Sequence, residues 1–228
     1  MARLLKLFAG PEGTGSTTRT KANHMTVGVP FVYRTKKRMQ GHLFNKKLRV
    51  VCQSCNNGWM SQMEEDCRFI GRMIIGLPII LDPPALEGLA TWIAMRAMVF
   101  ERDDPSTAAI PRSDYRYLME HKQPPPNWHI WIGFYDGRAW QVRFKHTAVH
   151  AATTFSVRME PNLQSTSFGA GHLFVHAVST TVEGVEPRPP TISAMMKIWP
   201  PRTMPLHWPL PFATDDDMAN AFGYMFDL

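Results

Sequence analysis

The sequence predicts an α+β protein, on three observations. Residues 63–101 carry apolar side chains at helical spacing, interrupted once by Gly76-Leu77-Pro78. Beyond residue 127 the period falls to two, the spacing of half-buried strands. Thr214-Asp215-Asp216-Asp217 then precedes Met218, Phe222 and Met225, the pattern of a capped amphipathic helix. The expected organisation is a basic arm, a cysteine turn and a helical hairpin over 1–102. A linker over 103–127 follows, then an antiparallel sheet domain with a C-terminal helix over 128–228.

The chain has 228 residues, with thirteen Phe and seven Trp, enough to build a sizeable core. No run approaches the roughly 18 apolar residues of a membrane span. The apolar part of Met1 to Gly10 is short and interrupted by Lys6, which argues against a signal peptide. Three cysteines, an odd number, do not make a disulfide framework. A reducing cytoplasm is the expected compartment.

Charge is unevenly placed. Residues 1–49 hold eleven Lys/Arg and one acid, Glu12, while the whole chain sums to +6. The first segment is therefore +10 and the remainder −4. Between Arg34 and Arg49 stand seven cations and no acid: Arg34, Lys36, Lys37, Arg38, Lys46, Lys47 and Arg49. Phe31 to Thr35 and Leu48 to Val51 read as strands flanking a turn at Gly41-His42. Two basic strands of this kind suit the phosphates of a nucleic acid, DNA first. The plain alternative is a solvated basic arm.

The elements follow in order. Residues 10–30 read as loop and contain His24. After the cysteine turn, Met63, Cys67, Ile70 and Ile74 share a helix face, which makes Cys67 a buried small hydrophobe. Asp82 caps a second helix with Pro83 at its first position. Leu86, Leu89, Ile93, Ala97 and Phe100 form its buried stripe, with Arg96 and Arg102 outside. A short helix is expected through Arg116 to Glu120, stopped by Pro124-Pro125-Pro126. Trp128–Tyr135 and Ala139–Lys145 read as strands joined by a hairpin at Asp136-Gly137. Residues 153–159, 172–181 and 191–199 also alternate, giving about five antiparallel strands. Trp128, Trp131, Tyr135 and Trp140 are expected in the core, a base-stacking platform being the alternative.

The chemistry centres on Val50-Val51-Cys52-Gln53-Ser54-Cys55-Asn56-Asn57-Gly58-Trp59-Met60-Ser61-Gln62-Met63-Glu64. Cys52 and Cys55 have the spacing of one zinc knuckle, which needs a second pair of ligands. The reading expects a strand entering Cys52, a tight corner at Asn56-Asn57-Gly58 and a buried Trp59. Ser61 and Glu64 have capping-box spacing, which would start the helix there. Redox use and an unmetallated relic are the rival readings of the cysteines. A redox pair usually sits at a helix N-terminus, whereas this helix is expected to begin past Cys55.

Residues 48–66 closely resemble the C-terminal half of HNH-like (His-Me finger) endonucleases, in the wording Cys-x-x-Cys-Asn-x-Gly-Trp-Met. The resemblance weakens through the helices to about residue 101. It implies a half treble-clef segment with Zn2+ on Cys52 and Cys55. It also implies a catalytic Mg2+ or Mn2+ next to the scissile phosphate, with Asn56 as the residue that binds it. The family's first half, a Cys-x-x-Cys and a Glu-His pair, has no counterpart upstream of Cys52. His24 and His42 are the histidines upstream of Cys52, and each is a candidate base or ligand. No phosphate loop ending in Lys-Ser/Thr, no G-x-S-x-G elbow and no H-E-x-x-H occurs. The resulting expectation is an HNH-endonuclease-like nucleic-acid-binding protein with an incomplete phosphodiesterase site. The alternative is a non-catalytic DNA-binding or protein-interaction module of phage or mobile-element type.

Overall fold

The computed structural model describes residues 17–21, 25–26, 29–30, 37–39, 50–102, 108–149, 151–152, 161–182, 187 and 194–223. Four short strands come first: β1 (Thr17–Lys21), β2 (Met25–Thr26), β3 (Val29–Pro30) and β4 (Lys37–Met39). Three helices follow, α1 (Gln53–Asn57), α2 (Trp59–Asp66) and α3 (Ile70–Ile74), then strand β5 (Ile79–Leu81). The long helix α4 (Pro83–Glu101) and α5 (Arg112–His121) complete the helical part. The sheet strands are β6 (Trp128–Tyr135), β7 (Val142–Val149), β8 (Ala151–Ala152), β9 (Leu163–Ala170), β10 (Leu173–Thr180) and β11 (Met196–Trp199). Short strands β12 (Leu206–Trp208) and β13 (Ala213–Thr214) lead to α6 (Asp216–Gly223). The fold is mixed α+β, with an antiparallel sheet and a C-terminal helix.

The main sheet runs β11-β6-β10-β9-β7-β1-β4, with β13 alongside β6. The five strands from β11 to β7 are antiparallel, and β1 joins the edge of β7 in parallel. The expected hairpin at Asp136-Gly137 does not form, because β6 and β7 lie apart with β10 and β9 between them. Asp216 claims that corner instead. Its carboxylate accepts the Arg138 and Ala139 N–H groups and the Tyr135 hydroxyl proton, and the Tyr135 oxygen accepts Trp140 N–H at 2.8 Å. The tight hairpin joins β9 to β10 through Gly171-His172, with Gly171 at φ 56°. Strand β9 escapes the pattern reading because Gln164, Ser165, Thr166 and Ser167 are polar yet buried. Of the expected strand at 153–159, nothing lies within the described residues.

Helix α4 covers one face of the sheet. Asp82 caps it, accepting Ala85 N–H at 2.9 Å, with Pro83 in the first turn. Leu86, Leu89, Ile93 and Ala97 are buried as expected, and so are Trp92, Met95 and Met98. Burying each large side chain contributes about 1.5–3 kcal/mol. Phe100 stacks on Phe144 with ring centroids 4.5 Å apart, and Trp92 meets Phe168 edge-on at 6.0 Å. One apolar cluster therefore includes Met60 and Ile74 from before residue 103 and Ile130, Val175 and Trp208 from after 127. The opposite sheet face packs on α6 through Ala219 and Phe222, together with Trp131, Tyr135, Trp140 and Phe174. The four aromatics Trp128, Trp131, Tyr135 and Trp140 are all in the core.

Smaller differences have local causes. The helix expected through Ile74 breaks after Asp66, with Cys67 as its C-cap, and resumes at Ile70. Cys67 is buried, and burial pushes its thiol up to about 11. The connection at 200–211 carries β12, which pairs with β5. Helix α5 begins at Arg112, so it is longer than expected, and its Asp114 accepts the Trp128 indole proton at 2.8 Å. At α6, Asp215 rather than Thr214 takes the Met218 N–H, at 2.8 Å, while Thr214 donates to the Ala194 carbonyl.

Candidate functional site

The chemistry-bearing residues gather on the corner between α1 and α2. Cys52 is the N-cap of α1, at φ −67° and ψ 153°. Its sulfur accepts the Cys55 N–H at 3.4 Å and lies 3.2 Å from Ser54 Oγ. These contacts, that of Ser54 first, hold the Cys52 thiol down to about 7. The neighbouring Cys52 side chain raises the Cys55 thiol above its ordinary value. Cys52 is exposed and Cys55 half-buried.

This arrangement corrects the expected strand, corner and capping box. With the Cys52 sulfur as cap, the helix begins at Gln53, and Asn56 and Asn57 are helical. Gly58 alone makes the break. Its N–H reaches the Ser54 carbonyl at 3.0 Å, and its own carbonyl accepts Gln62 N–H at 3.1 Å. A Cβ at residue 58 would stand 2.6 Å from the Ser54 oxygen, closer than a side chain tolerates. Ser61 and Glu64 consequently fall inside α2, where no side chain caps the helix start. Trp59 is half-buried rather than buried, with Lys122 Nζ 4.5 Å from its ring centre.

Two cavities lie against the corner. A polar cleft of about 890 Å³ is lined by Gln53, Asn56, Asn57, Ser61, Glu64 and Arg96, among others. The exposed Asn56 amide donates to Asn57 Oδ1 at 3.3 Å. Glu64 and Arg96 form an ion pair across the cleft, and the Arg96 guanidinium sits 5.4 Å from the Trp92 ring centre. Arg96 was expected on the outer face of α4. Its side chain is 25% exposed and forms part of the cleft wall, and burial lowers it to about 10, so it stays charged at neutral pH. The second cavity, of about 530 Å³, is apolar. Cys52, Cys55, Trp59, Met60, Met95 and Met98 contribute to its wall.

Cys52, Cys55 and Asn56 are thus brought together on a single short helix. Lys37 and Arg38 lie in β4, the outermost strand on the path of the main sheet, opposite Arg19 and Thr18 of β1. His24, His42, Arg34, Lys36, Lys46, Lys47 and Arg49 lie outside the described residues. Two thiols are half of a tetrahedral zinc set, and one amide is a single ligand for a hard cation. Among the described residues, no group of three or more His, Cys, Asp or Glu side chains is placed to hold a metal ion.

The pattern reading missed a buried network at the end of α4. Glu101 is fully buried and accepts from Ala109 N–H and Ile110 N–H, both at 2.9 Å, and from the Tyr115 hydroxyl at 2.8 Å. His146 Nε2 lies 3.6 Å from it, and His146 Nδ1 is 2.8 Å from Thr166 Oγ1. Burial raises the Glu101 carboxyl above its ordinary value despite these donors. The available signal was a lone acid ending an apolar helical stripe. No family model matches the chain, and neither a curated protein nor a solved structure matches it.

Proposed function

We propose that the chain is an HNH-endonuclease-like protein that binds nucleic acid, DNA first, with an incomplete phosphodiesterase site. The observation that carries this reading is the placing of Cys52, Cys55 and Asn56. Cys55 and Asn56 sit on one short helix that Cys52 caps, and Cys52 and Asn56 are exposed. In this reading α1 is the second knuckle of a half treble clef. Cys52 and Cys55 would contribute two ligands to a structural Zn2+. Asn56, at the polar cleft, would contribute an amide oxygen to Mg2+ or Mn2+. Such an ion supplies charge stabilisation at the leaving oxygen when bound. The cations between Arg34 and Arg49 would contact phosphates without reading sequence.

One observation favours the non-catalytic alternative. Among the described residues, none that lines the cleft around Asn56 is a histidine, the group that would activate water. A nucleic-acid-binding or protein-interaction module would keep the basic surface without cleavage. Among the described residues, no helix is long and apolar enough to cross a membrane.

The test uses the purified full chain on supercoiled and linear duplex DNA, with magnesium or manganese. The expected result is duplex binding that weakens steeply with salt, without nicking. No duplex binding at low salt would overturn the proposal. Nicking that Asn56→Ala abolishes would instead establish an active phosphodiesterase.

A further inference from the structure

The backbone N–H of Cys55 reaches the Cys52 sulfur at 3.4 Å, and both cysteines wall the same cavity. Two cysteines this close on one turn are placed to bond to each other. We infer that Cys52 and Cys55 form a reversible intramolecular disulfide by exchange with low-molecular-weight disulfides, Cys52 attacking and Cys55 resolving.

Four features of the site support this. Residues three apart on a helix have Cβ atoms about 5–6 Å apart, wider than the roughly 3.8 Å of a bridged pair. Cys52, however, is the cap and has extended backbone, so it can turn inward without unwinding a helical residue. Helix α1 contains no fully buried residue, so its adjustment moves only the half-buried Cys55 at the margin of the core. Access differs between the two sulfurs: Cys52 is exposed to an incoming reagent and Cys55 is half-buried beside it. Both line the 530 Å³ cavity, which leaves room for a departing thiol. The third cysteine, Cys67, is buried in the main core and lies out of reach of exchange.

The chemistry balances. Cys52 thiolate attacks one sulfur of a small disulfide, forming a mixed disulfide and releasing one thiolate. Cys55 thiolate then attacks the Cys52 sulfur, closing the protein disulfide and releasing the second thiolate. The dithiol loses two electrons, the small disulfide gains them, and the two thiol protons end on the released thiols. The pattern reading disfavoured redox use because the helix was expected to begin past Cys55. In the structure the helix begins between the two cysteines. A disulfide and a zinc thiolate pair exclude each other, so the exchange is a property of the metal-free chain.

The experiment equilibrates the chelator-treated full chain, its metal content measured, in oxidised and reduced glutathione of graded ratio. N-ethylmaleimide under denaturing conditions then counts free thiols by intact mass. The expected result is a single reversible step from three alkylated cysteines to one, with the bridge mapped to Cys52 and Cys55. Cys55→Ser should trap glutathione on Cys52, since the resolving sulfur is gone. Circular dichroism of that variant checks that the fold persists. Three alkylated cysteines at the oxidising end, a stable glutathione adduct on the unsubstituted chain, or a bridge to Cys67 would each overturn the inference.

Discussion

Replacing Glu101 tests whether the α4 terminus is held by one buried carboxylate. In Glu101→Ala the Ile110 N–H, buried with its partner, loses its acceptor, and so does the part-buried Ala109 N–H. Each unsatisfied buried donor costs about 1–3 kcal/mol. Tyr115 loses less, because its hydroxyl also lies 3.4 Å from the Met98 carbonyl. With a small cavity added, the expected loss is about 3–5 kcal/mol. Glu101→Gln keeps an acceptor for both N–H groups and should cost about 1 kcal/mol. Urea unfolding reads these values. With a slope near 3 kcal/mol per molar, the Ala variant should lose about 1–1.7 M in midpoint.

The pH dependence separates the charge from the hydrogen bonds. Burial raises the folded-state carboxyl of Glu101, against the lowering effects of its donors and of Arg102. Between the unfolded and folded values the folded state binds more protons. This contribution to stability is therefore full below the unfolded value and is lost as pH rises through the folded one. Glu101→Gln should flatten that part of the stability–pH profile. An Ala variant within about 0.5 kcal/mol of the parent would refute the reasoning, since no buried donor could then have been orphaned. An unchanged profile in the Gln variant would refute the assigned titration.

Two further substitutions address the corner and the basic arm. Gly58→Ala should push the chain away from the Ser54 carbonyl and open the α1–α2 corner, costing about 1–3 kcal/mol. Faster alkylation of Cys55 would report it, and an unchanged rate would show that the neighbouring backbone yields without loss. Replacing Lys37 and Arg38 together by Ala should lower the salt slope of duplex binding by about 0.9 for each phosphate contact removed. An unchanged slope would show that β4 does not face the nucleic acid.

Helix α4 was legible because it obeys simple local rules. Asp82 and Pro83 mark its start, and its apolar residues recur at helical spacing. The sheet was legible in class but not in pairing. Asp136-Gly137 carries a hairpin signal, yet Asp216, some 80 residues away in sequence, takes the N–H groups that a hairpin turn would use. No local pattern contains that competitor. Strand β9 was hidden for the opposite reason. Thr166 donates to Gln164 Oε1 and meets His146 Nδ1, both at 2.8 Å, and Ser167 Oγ lies 2.8 Å from His176 Nδ1. Burial lowers His176 to about 3, so it enters this network neutral. At the corner, capping logic favoured Ser61, a good N-cap residue. A sulfur took the role three residues before Cys55, a use that propensity scales do not weigh.

The corner itself joins the two halves of the functional reading. Helix α1 has five residues, too few to be stable alone, and buries none of them. Its order rests on the Cys52 cap and on the Gly58 junction with α2. The sulfurs wall the apolar cavity that Trp59 and Met95 share, while Asn56 and Asn57 wall the polar cleft with Glu64 and Arg96. Whatever fixes the two sulfurs, whether a metal ion or a disulfide, therefore also fixes where the Asn56 amide stands. Ordering one exposed helical turn costs about 1–2 kcal/mol per residue of backbone, and a link across Cys52 and Cys55 offsets about 2 kcal/mol of it. The thiol pair is thus positioned to set the geometry of the amide cleft without contacting any ligand held there.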